Sequence, residues 1–190
     1  MTKEALRQTY KAKRLAIPGS ERLKLDDLIL LQFQQLNWFG MNKVLTYWPI
    51  SAMAEPNMHL FNGYLRYFVP DLQLCYPVCN WQNSTMQAVA IDDDTVYLTN
   101  NNGITEPKTG ETVTPAALDL VFVPLLVADK QGYRVGYGKG FYDKFLSNTS
   151  TNTLLVGISY FEPIDVISDV NEFDIPLDLL ITPNSIHEFQ

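Results

Sequence analysis

Four of the chain's ten glycines, Gly132, Gly136, Gly138 and Gly140, fall within nine residues, interleaved with side chains able to do chemistry. Arg134 offers a planar guanidinium fork and Lys139 a mobile ammonium, both suited to phosphate oxygens. Asp143, just past the last glycine, brings a carboxylate of the kind that holds a hard cation such as magnesium. Glycine lets the backbone take positive φ and approach a ligand closely. The apolar run Leu118 to Ala128 comes before, and Phe141, Phe145 and Leu146 recur at helical spacing after. The order is strand, glycine-rich turn, helix, and amides at a helix start point at an anion. Together these residues read as a phosphate site.

Two other glycine motifs do not fit. A Walker A loop needs G-x-x-x-x-G-K-[ST], but Gly138-Lys139 is followed by Gly140 and Tyr133 stands where the first glycine belongs. A dinucleotide fingerprint needs G-x-G-x-x-G, whereas Gly136, Gly138 and Gly140 are spaced G-x-G-x-G. A bare G-x-G-x-G is more often a surface turn with scattered charges. The arginine, lysine and aspartate placed after an apolar strand favour the phosphate site over that turn.

The elements that must position this loop alternate in type. Thr2 is a fit N-cap for a helix through Ala16, stopped by Pro18. Ala5, Leu6, Thr9, Ala12 and Ala16 mark its apolar face, leaving Lys3, Arg7, Lys11 and Arg14 on another stripe. Ser20 caps a second helix to about Trp38, with Leu23, Leu28, Leu31 and Leu36 facing a sheet and Gly40 ending it. Lys43 to Tyr47 is β-rich, and Glu55-Pro56 opens a helix to Tyr67. Gln73 to Val78 reads as a strand, followed by a hairpin of residues 85–91 and 95–98 around a solvated Asp92-Asp93-Asp94 turn. Residues 109–115 read as a polar connection. Thr153 to Ser159 and Leu177 to Thr182 are further strands, separated by an irregular stretch.

Composition narrows the classes. At 190 residues, 46% hydrophobic and 18% charged, the chain suits one soluble α/β domain spanning residues 1–190. Residues 1–24 hold seven Lys/Arg against two Glu, a charge of +5. The other residues hold seven basic against nineteen acidic, −12, which argues against duplex nucleic acid as a partner. The basic first helix suits a small anion, or equally a solvated amphipathic surface. The basic N-terminus lacks an apolar stretch and no apolar run is long enough for a membrane span, so a cytoplasmic protein is expected. Cys75 and Cys79, four apart on one strand, are expected to be reduced thiols.

The run Arg134-Val135-Gly136-Tyr137-Gly138-Lys139-Gly140-Phe141-Tyr142-Asp143 resembles the signature R-[LV]-G-x-G-x-G-[YF]-Y-D of the 5-formyltetrahydrofolate cyclo-ligase family. Lys3 and Arg7 match an early K-x-x-x-R helix of that family, and Arg14 fits a looser position. Gly103 to Pro107 resembles a G-I-x-E-P element, expected to be a structural turn, and Asp174-Ile175-Pro176 opens a D-x-P-[LV]-D-like ending. The chain departs near Glu55, where E-x-x-T becomes Glu55-Pro56-Asn57-Met58.

The resemblance implies ATP-dependent conversion of 5-formyltetrahydrofolate, with or without a polyglutamate tail, to 5,10-methenyltetrahydrofolate. It implies ATP binding by Lys3, Arg7, Arg134, Gly136, Gly138, Lys139, Gly140 and Tyr142, of which Arg134, Lys139 and Tyr142 would serve the chemical step. Arg7, Trp48, Glu55, Tyr137 and Phe141 would take the folate, and Asp143 with Asp174 a magnesium ion. A monomer is expected. Alternating strands and helices predict a three-layer α/β/α domain with a mostly parallel central sheet, which the resemblance refines to a sugar-isomerase/CoA-transferase-like fold. A ligand-sensing domain without turnover and a small sugar-phosphate kinase or isomerase remain rivals at this point.

Overall fold

The structure is a computed structural model that describes residues 1–101 and 103–189. Helix α1 (Lys3–Ala16) begins as expected, the Thr2 side chain accepting from the Ala5 amide. Its inward face is not the expected one. Leu6 and Arg14 are buried and Lys3, Arg7 and Tyr10 half-buried, while Ala12 and Ala16 face solvent. Small alanines bury too little area to orient a helix, whereas the cationic stripe finds carbonyls and a carboxylate beneath it.

Helix α2 (Gly19–Phe33) follows Pro18 without a side-chain cap, so Ser20 does not cap it, and it stops short of Trp38. The Trp38 indole donates to the Phe33 carbonyl at 2.9 Å and its ring stacks on Phe33 at 4.3 Å, folding the chain back at that point. Asp26, Ile29 and Phe33 form the buried stripe, and Leu23, Leu28 and Leu31 are exposed, contrary to expectation. Leucines lie all round this helix, so their spacing did not select a face.

Strand β1 (Lys43–Leu45) leads through a short 3-10 turn to α3 (Met58–Phe68). Asn57 caps α3 by accepting from the His59 amide, so Glu55 and Pro56 precede the helix and do not open it. Strands β2 (Gln73–Asn80) and β3 (Thr85–Ala90) pair antiparallel, which overturns the expected pairing of residues 85–91 with 95–98. The long β2 matches β3 residue for residue, leaving β4 (Tyr97–Thr99) to pair with β5 (Thr105–Pro107), a segment expected to be a turn. Strand β6 (Thr112–Val113), within the expected connection, pairs with β3. Pro124 divides the apolar run into β7 (Leu120–Phe122) and β8 (Val127–Ala128), and β8 forms a small hairpin with β9 (Arg134–Val135). Then come α4 (Phe141–Leu146), β10 (Leu154–Ile158), β11 (Leu179–Ile181) and β12 (Ile186–Glu188).

The main sheet has eight strands in the order β12-β11-β10-β7-β1-β2-β3-β6. Neighbours from β11 to β2 are parallel, and β12, β3 and β6 are antiparallel additions at the edges. Period-two alternation divides the core between the faces. Val44, Leu74, Tyr76, Leu120, Phe122 and Val156 pack with α2 and α3, while Leu45, Cys75, Val121 and Leu155 pack with α4. The mostly parallel three-layer arrangement expected from the sequence is thus present. Leu6 of α1 packs separately against Val127, Val135 and Ile167. Cys75 and Cys79 are free thiols on β2, both pushed up to about 12 by burial. Among the described residues no helix is long and apolar enough to cross a membrane.

Candidate active site

A cavity of about 480 Å³ opens beyond the carboxyl ends of β1, β2 and β7, where parallel sheets hold their ligands. Fourteen residues singled out in the sequence line it: Lys3, Arg7, Trp48, Glu55, Arg134, Gly136, Tyr137, Gly138, Lys139, Gly140, Phe141, Tyr142, Asp143 and Asp174. Helix α1 supplies the first two, the loop after β1 the next two, the turn from β9 into α4 the following nine, and the loop before β11 the last.

At one end, backbone and cations are interlocked. Gly138 has φ +81°, and a Cβ there would stand 3.0 Å from the Arg7 guanidinium carbon, so only glycine allows this approach. Arg7 Nε donates to the Gly136 carbonyl at 3.0 Å, and its Nη1 donates to Glu4. Lys3 Nζ donates to Asp174 Oδ1 at 2.6 Å, and Asp174 Oδ2 accepts from the Asn171 amide at 2.7 Å. Arg134 is buried, with Nη2 donating to Asp143 Oδ1 at 2.8 Å and Nη1 to the Ile175 carbonyl. Burial pulls its guanidinium below the ordinary arginine value, and the Asp143 carboxylate opposes that pull. Lys139 is exposed on the loop and makes no ion pair among the described residues. Asp143 Oδ2 likewise accepts no hydrogen bond there. No group of three His, Cys, Asp or Glu side chains among the described residues is placed to hold a metal, so any cation must take most of its oxygens from elsewhere.

The other end is apolar around a single carboxylate. Glu55 is buried, its Oε2 accepting from the Ile50 amide at 2.7 Å and its Oε1 from the Tyr137 hydroxyl. Burial raises the Glu55 carboxyl above the usual range, and the Ile50 amide, the Tyr137 hydroxyl and Arg14 pull against that. Trp48 stands edge-on to His59 at 4.7 Å and packs against Tyr97 at 5.1 Å. Trp81 meets Phe141 edge-on at 5.0 Å. The Tyr142 hydroxyl is buried with no partner among the described residues, and burial pushes it well above the ordinary phenol value.

A loop for anions and a buried carboxylate in an aromatic wall therefore share one cavity. The profile of the 5-formyltetrahydrofolate cyclo-ligase family matches residues 1–183. The chain belongs to that family. A 5-formyltetrahydrofolate cyclo-ligase of Mycoplasma pneumoniae is 28% identical over 187 residues, covering 95% of this chain and 98% of that protein. The Mycoplasma genitalium cyclo-ligase is 41% identical over 70 residues, 36% of this chain and 41% of that protein. The solved structure of the Aquifex aeolicus 5,10-methenyltetrahydrofolate synthetase matches with a TM-score of 0.82 at 27% identity, covering 100% of this chain and 94% of that one. The Mycoplasma pneumoniae synthetase structure gives 0.75 at 26% identity, covering 96% and 99%.

This cyclo-ligase family chain also lines its cavity with residues that sequence reasoning missed, among them Tyr47, Cys79, Trp81, Ile104 and Thr105. Tyr47 carried a usable signal, since it lies just past the end of β1, where a parallel sheet presents its ligand site. Trp81, Ile104 and Thr105 arrive through the turns and pairings of β2 with β3 and β4 with β5, which no local pattern announced. Arg14, which sequence reasoning did name at a looser family position, is buried. It stands four residues beyond Tyr10 and eight beyond Leu6, on the face that the helix buries.

Proposed function

We propose that this chain uses ATP to close 5-formyltetrahydrofolate to 5,10-methenyltetrahydrofolate, with ADP and phosphate released. The observation that carries this is the two-ended cavity, cations and glycines at one end and Glu55 with aromatic rings at the other. A formyl group on N5 is an amide, and its carbon resists attack. Transfer of the γ-phosphoryl group to the formyl oxygen breaks the bond to ADP and creates a leaving group. N10 then attacks the formyl carbon, its proton is lost, and the carbon–oxygen bond breaks to free phosphate. The reaction needs no covalent bond to the protein, so positioning and charge stabilisation carry the catalysis.

In this assignment Lys139, Arg7 and the amides from Gly136 to Gly140 gather the phosphates. Arg134 adds positive charge beneath them and orients Asp143, and Lys3 does the same for Asp174. The donor set fits magnesium, which takes one or two carboxylates and completes its shell with phosphate oxygens and water. Asp143 would offer its open Oδ2, with Asp174 as second carboxylate. When bound, the ion would neutralise charge on the β- and γ-phosphates. Glu55 would accept from the amino group and ring NH of the pterin, between Trp48, Tyr137 and Phe141, with the Tyr142 ring in the same lining and its hydroxyl buried without a partner among the described residues. The same proposal has the chain acting as a cytoplasmic monomer on folates with or without polyglutamate tails.

Glu55→Gln tests the folate end. It sets an NH₂ donor against the donors of the pterin, so folate affinity should fall by at least about tenfold, the value of a hydrogen bond to a charged group. Nucleotide binding, measured separately, should be nearly preserved. Equal folate affinity in the variant and the unaltered protein would show that the pterin sits elsewhere.

A further inference from the structure

One buried cation stands apart from the phosphate end. Arg14, in the last turn of α1, is 2% exposed and spends all three of its nitrogens inside the protein. Nε donates to the Met53 carbonyl at 2.8 Å, Nη1 to the Leu125 carbonyl at 2.9 Å and Nη2 to the Tyr137 hydroxyl oxygen at 2.5 Å. Arginine has no acceptor, so the Tyr137 oxygen receives that bond. The phenol's single proton is thereby directed to its other neighbour, Oε1 of Glu55. Because Tyr137 sits between Gly136 and Gly138, this link ties the glycine-rich loop to the carboxylate across the cavity.

We infer that Arg14 is a positioning residue that makes Tyr137 a one-way donor to Glu55 and so couples the glycine-rich loop to the folate end of the cavity. The inference rests on the reading of Glu55 as the folate-binding carboxylate. Its neighbours explain why Arg14 matters. The titratable groups facing Glu55 are Arg14, Tyr137, Tyr47 and Tyr142. Burial raises all three phenols far above neutral, so Arg14 is the positive charge among them. It favours the ionised form of a carboxyl that burial pushes toward protonation. Removing Arg14, or the hydroxyl through which it acts, lets the Glu55 carboxyl rise further. The carboxylate needed for the pterin is then lost at a higher pH, and the acid limb of folate kcat/KM moves upward.

The test is the pH profile of kcat/KM for 5-formyltetrahydrofolate in Arg14→Lys, Arg14→Met, Tyr137→Phe and the Arg14→Met/Tyr137→Phe double variant. Arg14→Met and Tyr137→Phe should each move the acid limb upward and raise the folate KM about tenfold, with a smaller effect on the ATP KM. Arg14→Lys keeps the charge and should return the limb toward its original place. The double variant should be no worse than the worse single, because both act through one link. A purely structural arginine would lower the melting temperature and leave the limb unmoved. Should Arg14→Met fail to fold, Tyr137→Phe and Arg14→Lys carry the same comparison. An unmoved limb in folded Tyr137→Phe, or single effects that multiply in the double variant, would overturn the inference. Unchanged folate KM in Glu55→Gln would instead overturn the assignment of Glu55.

Discussion

Asp143 commits one oxygen to the protein and leaves the other without a hydrogen bond among the described residues. Oδ1 takes the Arg134 guanidinium and the Ile175 amide at 3.4 Å, and the residue itself lines the cavity. Asp143→Asn retains the shape, removes the negative charge and places an NH₂ group among those contacts. The magnesium concentration giving half-maximal turnover should rise by at least about tenfold, on the scale of one charged contact. A magnesium titration identical to that of the unaltered protein would remove Asp143 from the metal site. At this scale the sequence was informative where chemistry is local. Arg134, Gly138, Lys139 and Asp143 lie within ten residues, and the turn into a helix must bring them to one place. The state of Arg134 was not legible, because its second partner is the Ile175 carbonyl, 41 residues along the chain. Glu55 read as a carboxylate opening a helix, but Asn57 took the capping role and left Glu55 in the loop, bound by the Ile50 amide and Tyr137.

Among the elements, the β8–β9 hairpin carries the glycine loop, and Asp129 shapes its turn. Its buried carboxylate accepts from the Gln131 and Tyr133 amides through Oδ1 and from the Ile167 amide through Oδ2, each at 3.0 Å. Asp129→Ala would leave the buried Ile167 amide unsatisfied and strip two half-buried amides of their acceptor, at a cost of about 3 kcal/mol. Denaturant unfolding should show that loss as a lower midpoint, and a change below about 1 kcal/mol would show that the hairpin does not need the carboxylate. Asp129 had no local signature, since one of its partners lies in the stretch that reads as irregular. The two amphipathic helices fail for related reasons. In α1 the alanines suggested one face, and the buried partners of Lys3, Arg7 and Arg14 chose another. In α2 leucines occupy every side, and the stacking of Phe33 with Trp38 and its contacts with Phe61 and Phe122 fix the register. The longer strands were legible from β-rich runs, whereas β5, β6 and the pairing were not. Which strand takes β3 depends on the length of β2, a property of the assembled sheet.

Over the whole molecule, the uneven charge finds its use. The basic first helix turns Lys3 and Arg7 into the cavity of an otherwise acidic chain, so an anionic ligand would meet positive charge there. The sheet's parallel centre gathers the ends of β1, β2 and β7 at that cavity, while the turn from β2 into β3 adds Trp81 and the β4–β5 hairpin adds Ile104 and Thr105. Whether two substrates share this one cavity is tested most directly by the stoichiometry of turnover. The protein should be mixed with ATP, magnesium and 5-formyltetrahydrofolate, with the near-ultraviolet band of the methenyl product and the ADP formed followed in the same sample. The expected result is product and ADP appearing together in equal amounts, with no ADP when the folate is left out. Steady ADP formation without folate, or no methenyl band with all three present, would contradict it.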